Sequence, residues 1–431
     1  MGRMALEHIR IIDLCQAWSG AYATQILADL GAEVIKVEAR QRPDPWRCAV
    51  NGSLRYQLAR SFADNEPGER QHNRSYLANS VNRNKSSLTL DLTRERGREI
   101  FRELVRSADV VTENFTPRVM GNFDLDFAAL KKLRPQLIML SMPAFGGTGP
   151  YRELMGVGAT IESMSGNSYL LGYEGGLPLM SGIMWSDPVA SVMGAAAVLT
   201  ALYHRERKGR GQHIDLSQQE SMLSMIGYHV VAHSLTGEAP QLQENRDPLM
   251  VPHRNYQCQG KDQWVAIAAR DDADWRHLCR TIDRADLTKD SRFATAAARL
   301  ENRAVVDLII EEWTKARPVA EVETALQTAG VPVGKVRSIP EIFACPQVKA
   351  RRFFTSVDHP EVGRRTTAGI SVRLSRSPGK IRRAAPCLGA DSADILRRYL
   401  GLSDEEIAKL VAEGITGEEL IFPPANGGQD S

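Results

Sequence analysis

Asp187 is the residue whose sequence neighbours best suit covalent chemistry. It stands in Pro178–Glu220, read PLMSGIMWSDPVASVMGAAAVLTALYHRERKGRGQHIDLSQQE, between a Pro/Gly-punctuated loop and a long run of small side chains. An acid followed by proline suits a helix start, since proline is accepted at the first helical position and a carboxylate there meets unpaired backbone N–H groups. Those donors are expected to hold its pKa low, and only an ionised carboxylate can attack a carbonyl carbon. The competing explanation is a helix cap that does no chemistry.

The residues after Asp187 favour a placed acid. Val189 to Arg207 is dense in Ala, Ser and Gly, which implies close backbone packing and a buried helix. His204, Arg205, Arg207 and Lys208 complement the helix C-terminus, Gly209-Arg210-Gly211 stops it, and His213 to Ser217 reads as a strand. A second feature is the glycine turn Ala144–Pro150, AFGGTGP, whose backbone N–H groups could approach a phosphate closely. A lone acid without an adjacent histidine, in a glycine-rich setting, suits acyl transfer by an α/β enzyme handling a phosphorylated ligand.

The elements that would position these groups begin with Ile9–Leu14 as a buried strand, Ser19–Leu30 as a helix closed by Gly31, and Glu33–Glu38 as a second strand. This strand-helix-strand unit builds parallel sheets. Its turn, QAWSG, lacks the GxGxxG pattern and disfavours a nicotinamide-dependent dehydrogenase. Ala39 to Ser80 is irregular and arginine-rich. Helices are expected at Thr93–Ser107 and Phe127–Leu133, with strands at Ala108–Thr112 and Leu137–Ser141. Glu113 to Pro117 is the turn at the carboxyl end of one strand, where doubly wound sheets bind ligands. A hairpin pattern around Gly260-Lys261-Asp262 and three helical patterns up to Ala329 make a smaller α+β lobe.

Length and composition narrow the field. A chain of 431 residues exceeds one ordinary core, so two domains, or one large domain with a lobe, are expected. The expected division is a large-domain part at 1–225, a linker at 226–253, a small domain at 254–336, a return segment at 337–423 and a tail at 424–431. A net charge of +2 gives no pull toward nucleic acid or membrane. The six cysteines are scattered, without CxxC or histidines at metal spacing, and read as reduced thiols of a cytoplasmic protein with no metal site. No signal peptide, membrane-length apolar run, GxxxxGK[ST], GxSxG or HExxH is found.

The run DPVAS through ALYHRERKGRGQHIDLSQQES resembles the signature of the family III CoA-transferases of the CaiB/BaiF type, a group that includes formyl-CoA transferase, carnitine CoA-transferase and alpha-methylacyl-CoA racemase. Asn82–Leu92, NRNKSSLTLDL, Glu113–Pro117, ENFTP, the AFGGTGP turn and the return segment from Pro340 are similar to the same family. The resemblance implies a large doubly wound, Rossmann-like α/β domain with a smaller α+β domain, in an interlocked homodimer.

The resemblance also implies Asp187 as the nucleophile, passing through mixed anhydrides and an aspartyl-CoA thioester. CoA thioester is then a substrate, no cofactor is tightly bound, and the partners are acyl-CoA and carboxylic acids. Lys85, Arg40, Asn114, Phe115 and Arg118 become CoA-binding candidates, Lys85 as a point charge for phosphate, and Gln16, Ala17 and Trp18 become acyl-site candidates. The chain departs from the pattern at Arg118, in place of a glycine, and at Asn122, in place of an arginine. Val157 stands where the racemases carry a histidine, which counts against a 2-methylacyl-CoA racemase. The glycine run of formyl-CoA transferases is missing from the lobe, which counts against formate-oxalate exchange. Succinyl-CoA is a candidate donor, and a non-catalytic CoA-binding protein is the remaining alternative.

Overall fold

The computed structural model describes residues 3–47, 62–173, 175–240, 242 and 244–421. They fall into two compact units, one of Met1–Asn167, Met180–Leu235 and Ala350–Ser431, the other of Ser168–Leu179 and Thr236–Lys349.

The first unit is built on six parallel strands, β1 (Arg10–Asp13), β2 (Glu33–Glu38), β3 (Lys85–Thr89), β4 (Val110–Glu113), β5 (Ile138–Ser141) and β6 (His213–Asp215). Their order is β3-β2-β1-β4-β5-β6, so the chain reverses direction across the sheet between β1 and β4. This is the doubly wound order, and the carboxyl ends of β1 and β4 flank its crevice. Adjacent residues of β1 serve opposite faces. Ile12 joins a core with Ile35, Val111, Phe101 and Leu396, while Ile11 joins another with Val34, Val110, Leu27 and Ala195.

The helices Ser19–Asp29 and Ser186–Lys208 cover the Ile11 face. By length and composition Ser186–Lys208 could cross a membrane, but Ala190, Ser191, Gly194, Ala195, Val198 and Ala201 are buried, as in a core helix. At Gly194 an added Cβ would lie 3.1 Å from the Met142 sulfur, so the small residues are what let this helix approach the sheet.

The second unit holds the antiparallel sheet β7 (His253–Gln257), β8 (Trp264–Ala268) and β9 (Val333–Lys335), in that order, with helices Asp272–Thr281, Arg303–Lys315 and Val319–Thr328 packed around Trp275, Phe293 and Ile310. It is a smaller α+β unit beside the doubly wound one in the chain. Part of the span read as a linker is the helix Gly227–Thr236, and the return segment includes a hairpin of β10 (Phe354–His359) and β11 (Gly363–Ala368). The five described cysteines, Cys15, Cys258, Cys279, Cys345 and Cys387, are free and buried. Cys48 and the expected tail at 424–431 lie outside the described residues.

Candidate active site

β1 ends at Asp13, and the chain must turn sharply to enter the helix at Ser19. Ala17 takes a left-handed conformation, φ 57°, which a residue with a Cβ adopts only when its surroundings enforce it. Several groups do so here. The Ala17 N–H donates to Asp44 Oδ1 at 2.9 Å, and the Gln16 N–H donates to Asn114 Oδ1 at 2.8 Å. Asn114 returns a hydrogen bond to the Gln16 carbonyl, and Trp18 packs beside Trp46 with ring centroids 5.5 Å apart.

Beneath this turn is a set of buried ion pairs. Lys36 Nζ donates to Asp44 Oδ2 and to the Cys15 carbonyl, Arg47 grips both oxygens of Glu38, and Lys85 Nζ lies 2.9 Å from Asp13 Oδ2. Burial opposes the charges on Glu38 and Asp13, but the pairing outweighs it for both acids. Arg47 and Lys36 pull Glu38 down to about 2, and Lys85 and Lys36 hold Asp13 below its ordinary value.

Asp187 is treated differently. The helix starts at Ser186, with Trp185 in the cap position and no side-chain cap, so Asp187 is a first-turn residue whose own N–H donates to the Met184 carbonyl at 3.1 Å. A backbone hydrogen bond from Ser19 reaches its carboxyl, but burial dominates and raises the pKa to about 6. This corrects the expectation of a depressed pKa, because among the described residues one donor and no cation face the carboxyl, which does not offset lost hydration. The carboxyl has room only because residue 158 is glycine, where an added Cβ would stand 2.2 Å from Asp187 Oδ2. The Ser191 hydroxyl, 2.6 Å from the Ser19 carbonyl and 2.7 Å from that of Asp187, bolts the two helix starts together.

The other expected site residues divide. Gln16, Ala17 and Trp18 are half-buried in the turn beside Ser19. Lys85 is a correction: it has no exposed surface, and its three N–H bonds go to Asp13, the Ala21 carbonyl and Asn82, so it offers phosphate nothing. Arg40 is half-buried and bound to the carbonyls of Thr416 and Glu419. Asn114 has its amide occupied by Gln16 and Ser19, as a clamp on the turn, and Phe115 packs against the Phe101 core. Of the five, Arg118 is the exposed one, its nearest carboxylate being Glu153 at 4.0 Å.

Sequence reasoning passed over two buried acids. Glu113, at the end of β4, is raised to about 7, by burial first and then by the nearby Asp215 charge, against hydrogen bonds from Ser141 and the Phe115 N–H. Asp215 itself accepts from the Gly147 N–H in the AFGGTGP turn, so β6 fixes that turn. Glu162 is buried on the helix Gly158–Met164 and accepts hydrogen bonds from the loop ahead of Asp187. Its only signal was an acid placed among small and apolar residues in GVGATIESMSG.

The site is thus a desolvated carboxylate facing a helix N-terminus, while the glycine turn is pinned by β6 at the sheet's carboxyl edge. A family model described as CoA-transferase family III matches residues 6–392. The succinyl-CoA–D-citramalate CoA-transferase of Chloroflexus aurantiacus is 31% identical over 95% of this chain and 98% of its own. A formyl-CoA:oxalate CoA-transferase of Streptomyces avermitilis is also 31% identical, over 95% of this chain and 99% of its own. The crystal structure of a CAIB/BAIF family protein from Brucella suis superposes with a TM-score of 0.80 at 30% identity, covering 93% of this chain and all of that one.

Proposed function

This chain belongs to the family III CoA-transferases, and from that premise we propose that it moves CoA from succinyl-CoA to an acceptor dicarboxylic acid, with Asp187 as the nucleophile. The observation that carries the reading is the Asp187 carboxyl, half-buried, free of any cation among the described residues, and faced by the Ser19 N–H. A pKa of about 6 leaves it mostly ionised at neutral pH, yet poorly hydrated and hence reactive.

In the first step the Asp187 carboxylate attacks the thioester carbonyl and the C–S bond breaks, giving a mixed anhydride and CoA thiolate. The thiolate then attacks the aspartyl carbonyl, expels succinate and leaves an aspartyl-CoA thioester. An acceptor carboxylate attacks that thioester, forming a second anhydride and releasing the thiolate. Attack of the thiolate on the acceptor's acyl carbon yields the new acyl-CoA and restores the Asp187 carboxylate. Backbone N–H groups, with Ser19 the nearest, stabilise the oxyanions that develop at Asp187. With Lys85, Arg40 and Asn114 engaged elsewhere, Arg118 is the candidate that remains for the CoA phosphates.

The reading includes a homodimer. Met155 at 85% exposure, Leu177 and Leu235 at 80% and Tyr228 at 72% are large apolar side chains left open, and their burial by a second copy is what supports it. Light scattering should return twice the mass of the chain.

The test is incubation with succinyl-CoA and a panel of carboxylic acids, followed by mass spectrometry of the CoA thioesters. Hydroxylamine should convert the trapped intermediate to a hydroxamate at Asp187. A fully active, unlabelled Asp187→Asn enzyme would defeat the reading.

A further inference from the structure

The loop Met180–Trp185 delivers Asp187, and a single buried carboxylate gathers that loop. Glu162 is 1% exposed, and among the described residues its hydrogen-bond partners are neutral donors. Its Oε1 accepts from the Ser181 N–H at 2.8 Å and from Asn167 Nδ2 at 3.3 Å. Its Oε2 accepts from the Ser181 hydroxyl at 2.8 Å and from the Trp185 N–H at 3.3 Å. Trp185 is the cap residue of the helix Ser186–Lys208 and supplies no side-chain cap of its own.

We propose that Glu162 is a positioning residue for Asp187: by holding Ser181 and Trp185 it fixes where that helix begins, and so where the carboxyl two residues later points. The proposal rests on Asp187 being the nucleophile. Two further contacts make the link direct. Glu162 shares its helix with Gly158, the residue standing against Asp187 Oδ2, and the Ser186 hydroxyl donates to the Gly158 carbonyl at 3.0 Å. One short helix therefore holds the loop before the nucleophile and forms the wall beside it.

The loop needs such a hold. Met184 sits at φ 57°, a left-handed conformation that persists in a non-glycine residue only when its surroundings over-determine it. A carboxylate suits the task better than an amide, because all four groups facing it donate. A glutamine would turn an NH2 toward either Ser181 or Trp185 and leave an N–H facing an N–H.

The experiment compares wild type with Glu162→Gln, Glu162→Ala and Ser181→Ala. It reads kcat and KM for succinyl-CoA, the rate of hydroxylamine-trapped label on Asp187, and the thermal midpoint. A misplaced nucleophile should lower kcat by about ten- to a hundredfold in Glu162→Gln and by a few-fold in Ser181→Ala, with KM for succinyl-CoA within about twofold. Label on Asp187 should build up correspondingly slowly in the folded protein. A lowered midpoint with unchanged kcat and labelling in any of the three would assign Glu162 to stability alone and overturn the proposal. If Glu162→Ala does not fold, Ser181→Ala decides the matter. Wild-type enzyme that turns over without label on Asp187 would instead remove the nucleophile reading, and this proposal with it.

Discussion

The carboxylates near the carboxyl edge of the large sheet are handled in two opposite ways. Asp13, Glu38 and Asp44 are buried with Lys85, Arg47 and Lys36, and the pairs hold Asp13 and Glu38 below their ordinary pKa values. Asp187 and Glu113 have no cation beside them among the described residues, and burial lifts them to about 6 and about 7. The cations favour the ionised form of Asp13 and Glu38, so the paired set suits construction: it fixes β1, β2 and the strained turn at Ala17. An unpaired buried carboxylate costs stability whenever it is ionised, and such groups are enriched at functional sites.

The comparison breaks most sharply at Asp187. Asp187→Asn should lower exchange by at least about a thousandfold, since the amide cannot attack the thioester. The same substitution should stabilise the fold. With a folded pKa near 6 against an ordinary value of 3.8, the native state binds the proton more tightly. Wild-type stability therefore falls as pH rises from about 4 to 6 and is level above that. Asn escapes this loss, so its thermal midpoint should exceed that of wild type at pH 8 and match it at pH 4. The acid limb of wild-type kcat/KM should fall near pH 6. A variant both inactive and unstable at pH 8 would put Asp187 among the structural carboxylates.

For the paired set the expectation is reversed. Lys85→Met leaves Asp13 buried without its charge partner and should destabilise the protein by about 3–5 kcal/mol in chemical denaturation. Adding Asp13→Leu to it should recover much of that loss. If Lys85 instead served CoA phosphate, Lys85→Met would raise KM for the CoA substrate and leave stability unchanged.

The sheet was legible because β1, β2, β4 and β5 are short runs rich in apolar residues separated by helical periodicity, and the helix that carries Asp187 because its small residues announce close packing. The environment of Asp187 was not legible. Its desolvation depends on Gly158 and Ser19, which only the fold brings beside it. Lys85 misled for a similar reason. A lysine opening a strand pattern reads as exposed, and its partner Asp13 lies 72 residues earlier on another strand. Asn114 read as a ligand contact, but its amide faces the β1 turn because β4 lies next to β1. Sequence patterns report which face of an element is buried, not which distant polar group meets it there.

Gly158→Ala sharpens the contrast without replacing a titratable group. The new methyl group would collide with Asp187 Oδ2 and with Met184 Cβ, 2.7 Å away, so carboxyl and loop must both shift. Moving a nucleophile by a fraction of its reach should cost about ten- to a hundredfold in kcat, with KM for succinyl-CoA little changed. An alanine enzyme with normal kcat would show that the carboxyl need not occupy that space.

The smallest effect is expected at Glu113, which has the raised pKa but no place in the acyl transfer steps. Its carboxyl faces the Ser141 hydroxyl and the Phe115 N–H, with Asp215 as the neighbouring charge. The folded pKa, about 7, lies above the ordinary 4.5, so the native state again holds the proton more tightly, and wild-type stability declines as pH rises between those values. Glu113→Gln cannot ionise and should lose nothing over that range. Because the amide also gives up part of the carboxylate's hydrogen bonding, the net gain at pH 8 should be on the order of 1 kcal/mol, shrinking to nothing or reversing at pH 4. Exchange activity should stay within about twofold at both ends. A stability difference independent of pH would mean that Glu113 is already ionised at pH 4 and belongs with Asp13 and Glu38. A pH-dependent difference with unchanged activity would show that burial without a cation is not enough to mark a catalytic acid.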